Sequence, residues 1–419
     1  MKIKWKKIIQ FKWFRRLYVL YIFGFIVNFR PPLPFFYEFL RTDKNFTEDE
    51  VAQDILPVFF YSTAVLLLPV FFLMEFLKYN PFIIISTLTG IVSTCLYIWT
   101  ESLVELQVAQ AFYGCMTAAE VAYYVSVYAH GDIKTYQKLT ACVRAAPLVA
   151  RLFSTFFGQL LVSVAYLSYE KLHYFNLSSF IIATILNIFL PPIGNQNAEN
   201  SEKVEENQTK ITSIFSNLAQ AFPNKYVIKW SVWSIFTICG YNQFSIYVQP
   251  LWQYIQKSNG TFVYNGVLEG VYTIFALTGT ILGGFANFDW KFKGDLILSM
   301  TSLVEAFMLI FMSQITNYLA LNCMFYVILG FMYHFIMTVL SAEIAKFLKK
   351  GCFGLVFGVI ALLGWGLSSG MVCLFNDRVG IEVRDYQDLL MWYGFYHLGI
   401  SVAFMMVGLT YWFAKHTYQ

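Results

Sequence analysis

The chain has 419 residues, of which 58% are hydrophobic, 19% aromatic and only 13% charged, with a formal net charge of +4, and its mean hydropathy is +0.56. That balance excludes an ordinary soluble domain and places the chain in a bilayer, as an all-α polytopic membrane protein. The small positive total gives no reason to invoke nucleic acid, and five scattered histidines do not make the cluster an enzyme site or a metal centre needs, so no enzyme activity, metal or cofactor is expected.

At about 20 residues per crossing, twelve transmembrane helices are predicted, near residues 15–35, 55–76, 81–99, 105–129, 136–166, 172–191, 226–255, 264–287, 294–313, 317–346, 352–375 and 386–413. The first follows a basic start (Lys2, Lys4, Lys6, Lys7, Lys12, Arg15, Arg16) without a small-residue cleavage site, so it is predicted to stay as an anchor. It ends at Arg30, just before Pro31 and Pro34, where an arginine is expected to bond carbonyls that the prolines leave free. The loop beyond is acidic, with Glu38, Asp43, Glu48, Asp49, Glu50 and Asp54, and carries a glycosylation sequon at Asn45.

The fourth run holds the most informative residue, Glu120 in MTAAEVAYYVSVYAHG. A charge at that depth costs roughly 2.5–3.5 kcal/mol on insertion scales, so it needs a partner or a task. Glu120, Tyr123, Tyr124 and Tyr128 fall at i, i+3, i+4 and i+8, one helical stripe of a carboxylate and phenol rings. Such a stripe suits a flat organic cation, each ring adding about 0.5–2 kcal/mol through cation–π contact. It also suits plain packing. In the fifth run Arg144 and Arg151 lie two turns apart on one face, and either could neutralise Glu120 instead.

A polar stretch, NQNAENSEKVEENQTK, then separates six runs from six. The expected organisation is an N-terminal six-helix bundle at 1–193, a cytoplasmic linker at 194–225 and a C-terminal six-helix bundle at 226–419, the layout of a major-facilitator fold. The second half carries Asn242, Gln243, Gln249, Asn265, Glu269 and His334 inside its runs. Glu269, four residues from Asn265, reads as a helix-to-helix hydrogen-bond partner or a site for substrate or proton, and His334 as a core residue.

Basic residues set the orientation. With both termini inside, 20 of the 29 Lys and Arg fall on the cytoplasmic side, as the positive-inside rule requires. Sequons at Asn45 and Asn259 then face outward, with Asn176 close to the bilayer and Asn207 inside. All seven cysteines lie in or beside apolar runs with no CxxC pair, which suggests neither a disulfide framework nor a zinc site.

Several ordered motifs carry a family resemblance. They are Arg30-Pro-Pro-Leu-Pro-Phe-Phe36, Lys44-Asn-Phe-Thr47, Pro57-Val-Phe-Phe-Tyr-Ser62, Lys78-Tyr-Asn-Pro81, Thr117-Ala-Ala-Glu-Val-Ala-Tyr-Tyr124, Gly158-Gln-Leu-Leu-Val162, Tyr241-Asn-Gln243, Leu251-Trp252, Tyr264-Asn-Gly266 and Leu355-Val-Phe-Gly358. In order and spacing the chain resembles the reduced folate carrier and thiamine transporter family. The resemblance implies a plasma-membrane secondary carrier of a small vitamin, working by alternating access. Within the family TAAEVAYY is similar to the thiamine branch, whereas the vertebrate folate carrier has arginine at the position of Glu120 and basic residues where this chain has Gly330 and Ser368. The chain departs from the thiamine pattern at Leu33, where a glutamate is usual, and at Phe59, Thr63, Gln253 and Arg151.

The expectation is therefore import of thiamine or a similar cationic vitamin. Glu120 is placed on the cation, Tyr123, Asn242, Gln249, Tyr264 and Asn265 shape the pocket, Trp252 and Phe59 form aromatic walls, and Arg151 stands in the cavity. Arg30, Arg144 and Glu269 are given structural or gating roles, and Glu120 and Glu269 motivate coupling to protons. The alternatives are a folate or organic-anion carrier using Arg144 and Arg151, or a membrane vitamin sensor that does not transport.

Overall fold

The computed structural model describes residues 12–77, 79–190, 224–258, 264–286, 288, 290–315, 318–349, 352–376 and 386–417. Among these residues every regular element is helical. In chain order the long helices are α1 (Lys12–Val27), α2 (Leu56–Leu77), α3 (Asn80–Trp99), α4 (Leu103–Ser126), α5 (Tyr136–Ser163) and α6 (Tyr169–Leu186). After residues 191–223, which include most of the expected linker and lie outside the described set, come α7 (Lys225–Ser258), α8 (Asn265–Phe285), α9 (Trp290–Gln314), α10 (Leu319–Phe347), α11 (Phe353–Leu374) and α12 (Tyr386–Thr417).

Nine helices among the described residues are long and apolar enough to cross a membrane. The helices at the other three expected crossings fall short for identifiable reasons. The apolar part of α1 is only Leu17–Val27, and α4 and α7 are diluted by polar residues such as Gln110 and Glu120, or Asn242, Gln243 and Gln249. Length and composition thus support nine crossings, and the polar residues that weaken α4 and α7 are among those with candidate functional roles.

The segment between α1 and α2 is not a loose loop. Leu33–Phe35 makes a 3-10 turn, and Phe39–Asp43 and Glu50–Ile55 form π-helical turns. Their apolar side chains, Phe39, Leu40, Val51 and Ile55, pack with Tyr97 of α3 and Leu106 of α4 into a small cluster that caps one end of the bundle. Arg41 donates to the Phe46 carbonyl at 2.6 Å and Lys44 to that of Ile98 at 3.2 Å, tying the cap down. Asn45 is exposed with φ 60°, a left-handed conformation that asparagine tolerates better than most residues. Asn176 is buried inside α6 and donates to Thr94 of α3, so it is closed to a glycan. Asn259 lies outside the described residues.

Ser102 and Glu105 start α4 with a reciprocal capping box, which satisfies helix N–H groups that would otherwise be orphaned. Within the first six helices α3 packs on α4 and α6, and α2 on α4; within the last six α9 packs on α12, and α7 on α10, α11 and α12. Two broad contacts join the sets, α5 with α8 and α2 with α11.

Glycines on α8 make its contacts possible. Without a hydrophobic force between helices in lipid, small residues spaced four apart let backbones approach closely. A Cβ on Gly279 would stand 2.5 Å from the Phe331 carbonyl oxygen of α10, and one on Gly283 2.8 Å from that of Phe335. Gly266 is equally close to the Thr155 carbonyl of α5. Because backbone cannot swing aside like a side chain, Gly279→Ala must push α8 and α10 apart. It is expected to cost about 1–3 kcal/mol, read as a lower melting midpoint of the purified protein in detergent.

Candidate functional site

Where α1 ends, Arg30 turns back on the chain. Its Nε donates to the Val27 carbonyl at 3.0 Å, the bond to a freed helix carbonyl that the proline-rich exit predicts. Its Nη1 donates to the Tyr113 hydroxyl of α4 at 3.1 Å, and the guanidinium lies over the Phe180 ring of α6 at 5.3 Å. Arg30 thereby joins three helices at the wall of a cavity of about 250 Å³.

That cavity lies between the two sets of helices. The first set supplies Arg30, Leu33, Phe59, Tyr113 and Arg151, and the second supplies Tyr241, Asn242, Gln249 and Trp365. Phe59 is the aromatic hub, with ring centroids 5.2 Å from Tyr113 and 5.4 Å edge-on from Trp365. The cap side is bridged by Gln249, which donates to the Leu33 carbonyl at 3.2 Å, and by Ser369, which donates to that of Phe60 at 2.9 Å. Asn242 donates to the Ser368 hydroxyl at 3.3 Å, so it is held by α11 with the rest of its amide toward the cavity.

Toward the other end lies a second cavity of about 130 Å³, whose walls include Tyr124, Tyr128, Arg144 and Ser341. Arg144 donates to Ser341 at 3.3 Å and lies over the Tyr124 ring at 5.9 Å. Beyond it Gln137 donates to the carbonyls of Gly283, at 2.8 Å, and Ala286. Hydrogen bonds between the two sets of helices therefore lie beside both cavities.

Glu120 is half-buried and lines neither cavity. Its Oε1 accepts from the Asn28 amide of α1 at 3.3 Å, and it shares an electrostatic neighbourhood with Arg30, Tyr113 and Tyr124. Among the described residues neither Arg144 nor Arg151 pairs with it. Arg151 instead makes a 2.7 Å ion pair with Glu269 of α8, while the Tyr326 hydroxyl of α10 donates to the other Glu269 oxygen at 3.0 Å. A hydroxyl chain runs alongside, Tyr241 to Tyr272 at 2.6 Å and Tyr272 to His334 at 3.3 Å. Glu269 thus bonds across helices, joining the two sets through Arg151, and half-buried His334 ends the hydroxyl chain.

The residues singled out from sequence separate into groups. Phe59, Asn242, Gln249 and Arg151 line the larger cavity together. Tyr123 is buried, donating to the Val143 carbonyl at 3.1 Å; Trp252 packs edge-on against Tyr326 at 5.0 Å; Asn265 is buried at the start of α8. Tyr264 caps that helix and is 48% exposed, away from the cavity. The tyrosine stripe on α4 also divides, because Tyr124 and Tyr128 face the second cavity while Tyr123 turns toward α5.

Tyr113, Trp365, Tyr241, His173 and Asn176 also line the larger cavity and were not anticipated. Tyr113 had a signal, lying seven residues before Glu120 on the same helical face. Tyr241 adjoins Asn242. His173, Asn176 and Trp365 had none, because their exposure to the cavity depends on how distant helices meet.

Comparison with known proteins identifies this arrangement. The profile described as "Reduced folate carrier" matches residues 11–196 and 192–387. The chain belongs to the reduced folate carrier family. Folate transporter 1 of Caenorhabditis elegans is 30% identical, covering 93% of this chain and 92% of the relative. Thiamine transporter 2 of Homo sapiens is 29% identical over 94% of this chain and 90% of its own length, and human thiamine transporter 1 is also 29% identical. Among solved structures the human organic anion transporter MFSD10 superposes with a TM-score of 0.63, at 12% identity, over 94% of this chain and all of the neighbour. The Escherichia coli fucose:proton symporter FucP superposes at 0.56 over 93% and 97%. This member of the reduced folate carrier family accordingly shares the fold of those two transporters, the major-facilitator fold.

Proposed function

We propose that the chain is a secondary carrier importing thiamine or a similar flat cationic vitamin across the plasma membrane by alternating access. The observation that carries this reading is the state of Glu120. Of the buried acids in the long helices among the described residues, Glu269 pairs with Arg151 and Asp295 with Lys229, while Glu305 lies 3.0 Å from His397, an ion pair only when that histidine is protonated. Among the described residues Glu120 accepts from the neutral Asn28 amide and makes no ion pair, with Arg30 in its electrostatic neighbourhood, so its charge is open to a cation. Phe59, Tyr113 and Trp365 provide aromatic faces of the kind that hold a flat cationic ring. Asn242 and Gln249 supply polar contacts, Arg151 shapes the cavity from its ion pair, and Tyr123, Trp252 and Asn265 back these walls, with Tyr264 at the entrance of α8.

In this reading two six-helix bundles, residues 1–193 and 226–419, rock about the cavity, joined by the 194–225 linker, with both termini in the cytoplasm. The paired small-residue contacts of α5 with α8 supply the surface on which they move. Protons are the proposed coupling ion, with Glu120 and Glu269 as the intramembrane acids.

A second reading, a folate or other organic-anion carrier, is favoured by one feature. No carboxylate forms an ion pair with Arg30 among the described residues, and its Nη2 has no hydrogen-bond partner. Uptake into proteoliposomes separates the two. Labelled thiamine is expected to be displaced by excess thiamine and not by excess folate; labelled folate uptake with no thiamine uptake would reverse the assignment. The same vesicles with and without a pH gradient test the coupling, which is wrong if uptake is indifferent to the gradient.

A further inference from the structure

One end of the larger cavity holds buried polar groups that no described residue satisfies. It is formed by the start of α6 and the end of α3, beneath the 33–39 segment. His173 and Asn176, three residues apart on one face of α6, both line it and are 2% and 6% exposed. Neither His173 ring nitrogen has a hydrogen-bond partner, nor has Asn176 Oδ1, nor has Arg30 Nη2 across the chamber. A buried group left in that state costs about 1–3 kcal/mol, so three in one wall of a cavity call for a ligand.

The surroundings define its shape. The His173 ring is fixed by Phe39, at 4.5 Å between centroids, and by Tyr97 at 5.6 Å. Phe36 meets Tyr97 edge-on at 5.2 Å. Asn176 is oriented because its amide nitrogen donates to Thr94 Oγ1 at 3.2 Å, which leaves the carbonyl oxygen as a pure acceptor. Arg30 Nη2 is a pure donor, and the neutral imidazole offers one of each. No carboxylate is among the residues lining this cavity, so its unpaired polar groups suit a neutral edge.

We propose that His173, Asn176 and Arg30 form a specificity subsite for a planar N=C–NH2 edge, the amino-azine edge of a heteroaromatic ring. The exocyclic amine donates to Asn176 Oδ1 and the ring nitrogen accepts from His173 or Arg30, with the ring held between Phe36 and Tyr97 of the cavity lining. This rests on the vitamin-carrier reading for its substrate and deepens it. It places the polar edge of the ring on α6 and leaves Glu120 for the charge.

The test compares thiamine with the analogue in which the exocyclic amine is replaced by a carbonyl oxygen, both as unlabelled competitors of thiamine uptake in proteoliposomes. The wild type is expected to prefer thiamine at least about tenfold, because a site built to hydrogen-bond rejects a ligand lacking the group. His173→Phe, which keeps the ring packing, and Asn176→Ala are expected to shrink that ratio below about threefold; His173→Gln, which keeps a donor and an acceptor, restores most of it. A loss of stability alone would slow uptake of labelled thiamine and leave the ratio unchanged. Unchanged ratios in both variants overturn the subsite and leave ordered water as the occupant. A substrate-independent arm uses an aminopyrimidine fragment and its oxo counterpart at high concentration. The amino fragment alone raises the melting midpoint of the wild type, and raises neither variant's; equal shifts in all three proteins sink the proposal. Proteoliposomes that take up neither labelled vitamin overturn the carrier reading instead, and the fragment arm still decides the subsite.

Discussion

Glu120→Gln is expected to lower thiamine uptake by roughly 30-fold or more, since removing one partner of a desolvated charge contact costs about 2–5 kcal/mol. Glutamine keeps the volume and can still accept from Asn28, whose amide is anchored by its 3.1 Å bond to the Gly24 carbonyl. Folding should therefore survive, with surface abundance near wild type. The loss belongs in affinity as much as in rate, because the carboxylate meets the cation on entry. Glu120→Arg goes further, adding a fourth cation beside Arg30, Arg144 and Arg151, of which only Arg151 makes an ion pair among the described residues, and is expected to abolish thiamine uptake. Uptake within twofold of wild type in both variants, at equal surface abundance, would remove Glu120 from the site.

Glu269→Gln carries the second large effect, on stability. Arg151 is the partner left behind, its Nε already without a hydrogen-bond partner. Breaking a buried pair from one side typically costs 3–5 kcal/mol, or about that order here, because a charge is stranded. The expected readout is a melting midpoint far below wild type and poor surface delivery. Replacing both residues, Arg151→Met with Glu269→Met, removes both charges together, and is expected to recover most of the lost stability. Transport should not recover with it, since Arg151 lines the cavity and its pair with Glu269 spans the two sets of helices. A double variant no more stable than Glu269→Gln would show that the pair is not what holds α5 to α8.

Much of the architecture was legible because lipid imposes a simple rule. Every backbone polar group in the bilayer must be satisfied internally, so long apolar runs become helices, and their predicted limits fall within about five residues of those observed except in the first, predicted to residue 35 and ending at Val27. The same rule explains why α1, α4 and α7 read weakly by hydropathy, since proline-bounded length and intramembrane polar residues dilute them. The acidic 38–54 segment was different. Its charges suggested an open loop, but Phe39, Leu40, Val51 and Ile55 fold it down as a cap, a packing event with no period to reveal it.

The candidate site was legible only in its residue types. Sequence alone determined that this is a helical membrane protein resembling the reduced folate carrier family, and that Glu120, Arg151 and Glu269 are costly charges in need of explanation. Which charges meet was decided by tertiary structure. Arg151 had been weighed as a partner for Glu120, but it reaches Glu269, 118 positions away in the chain, because glycines at 266 and 270 bring α8 against α5. Tyr123 and Tyr124 are neighbours that face different helices, and His173 on α6 reaches a cavity that its own helix gives no sign of. Helical periodicity states which side chains share a face, and only the crossing of helices distant in sequence states what that face meets.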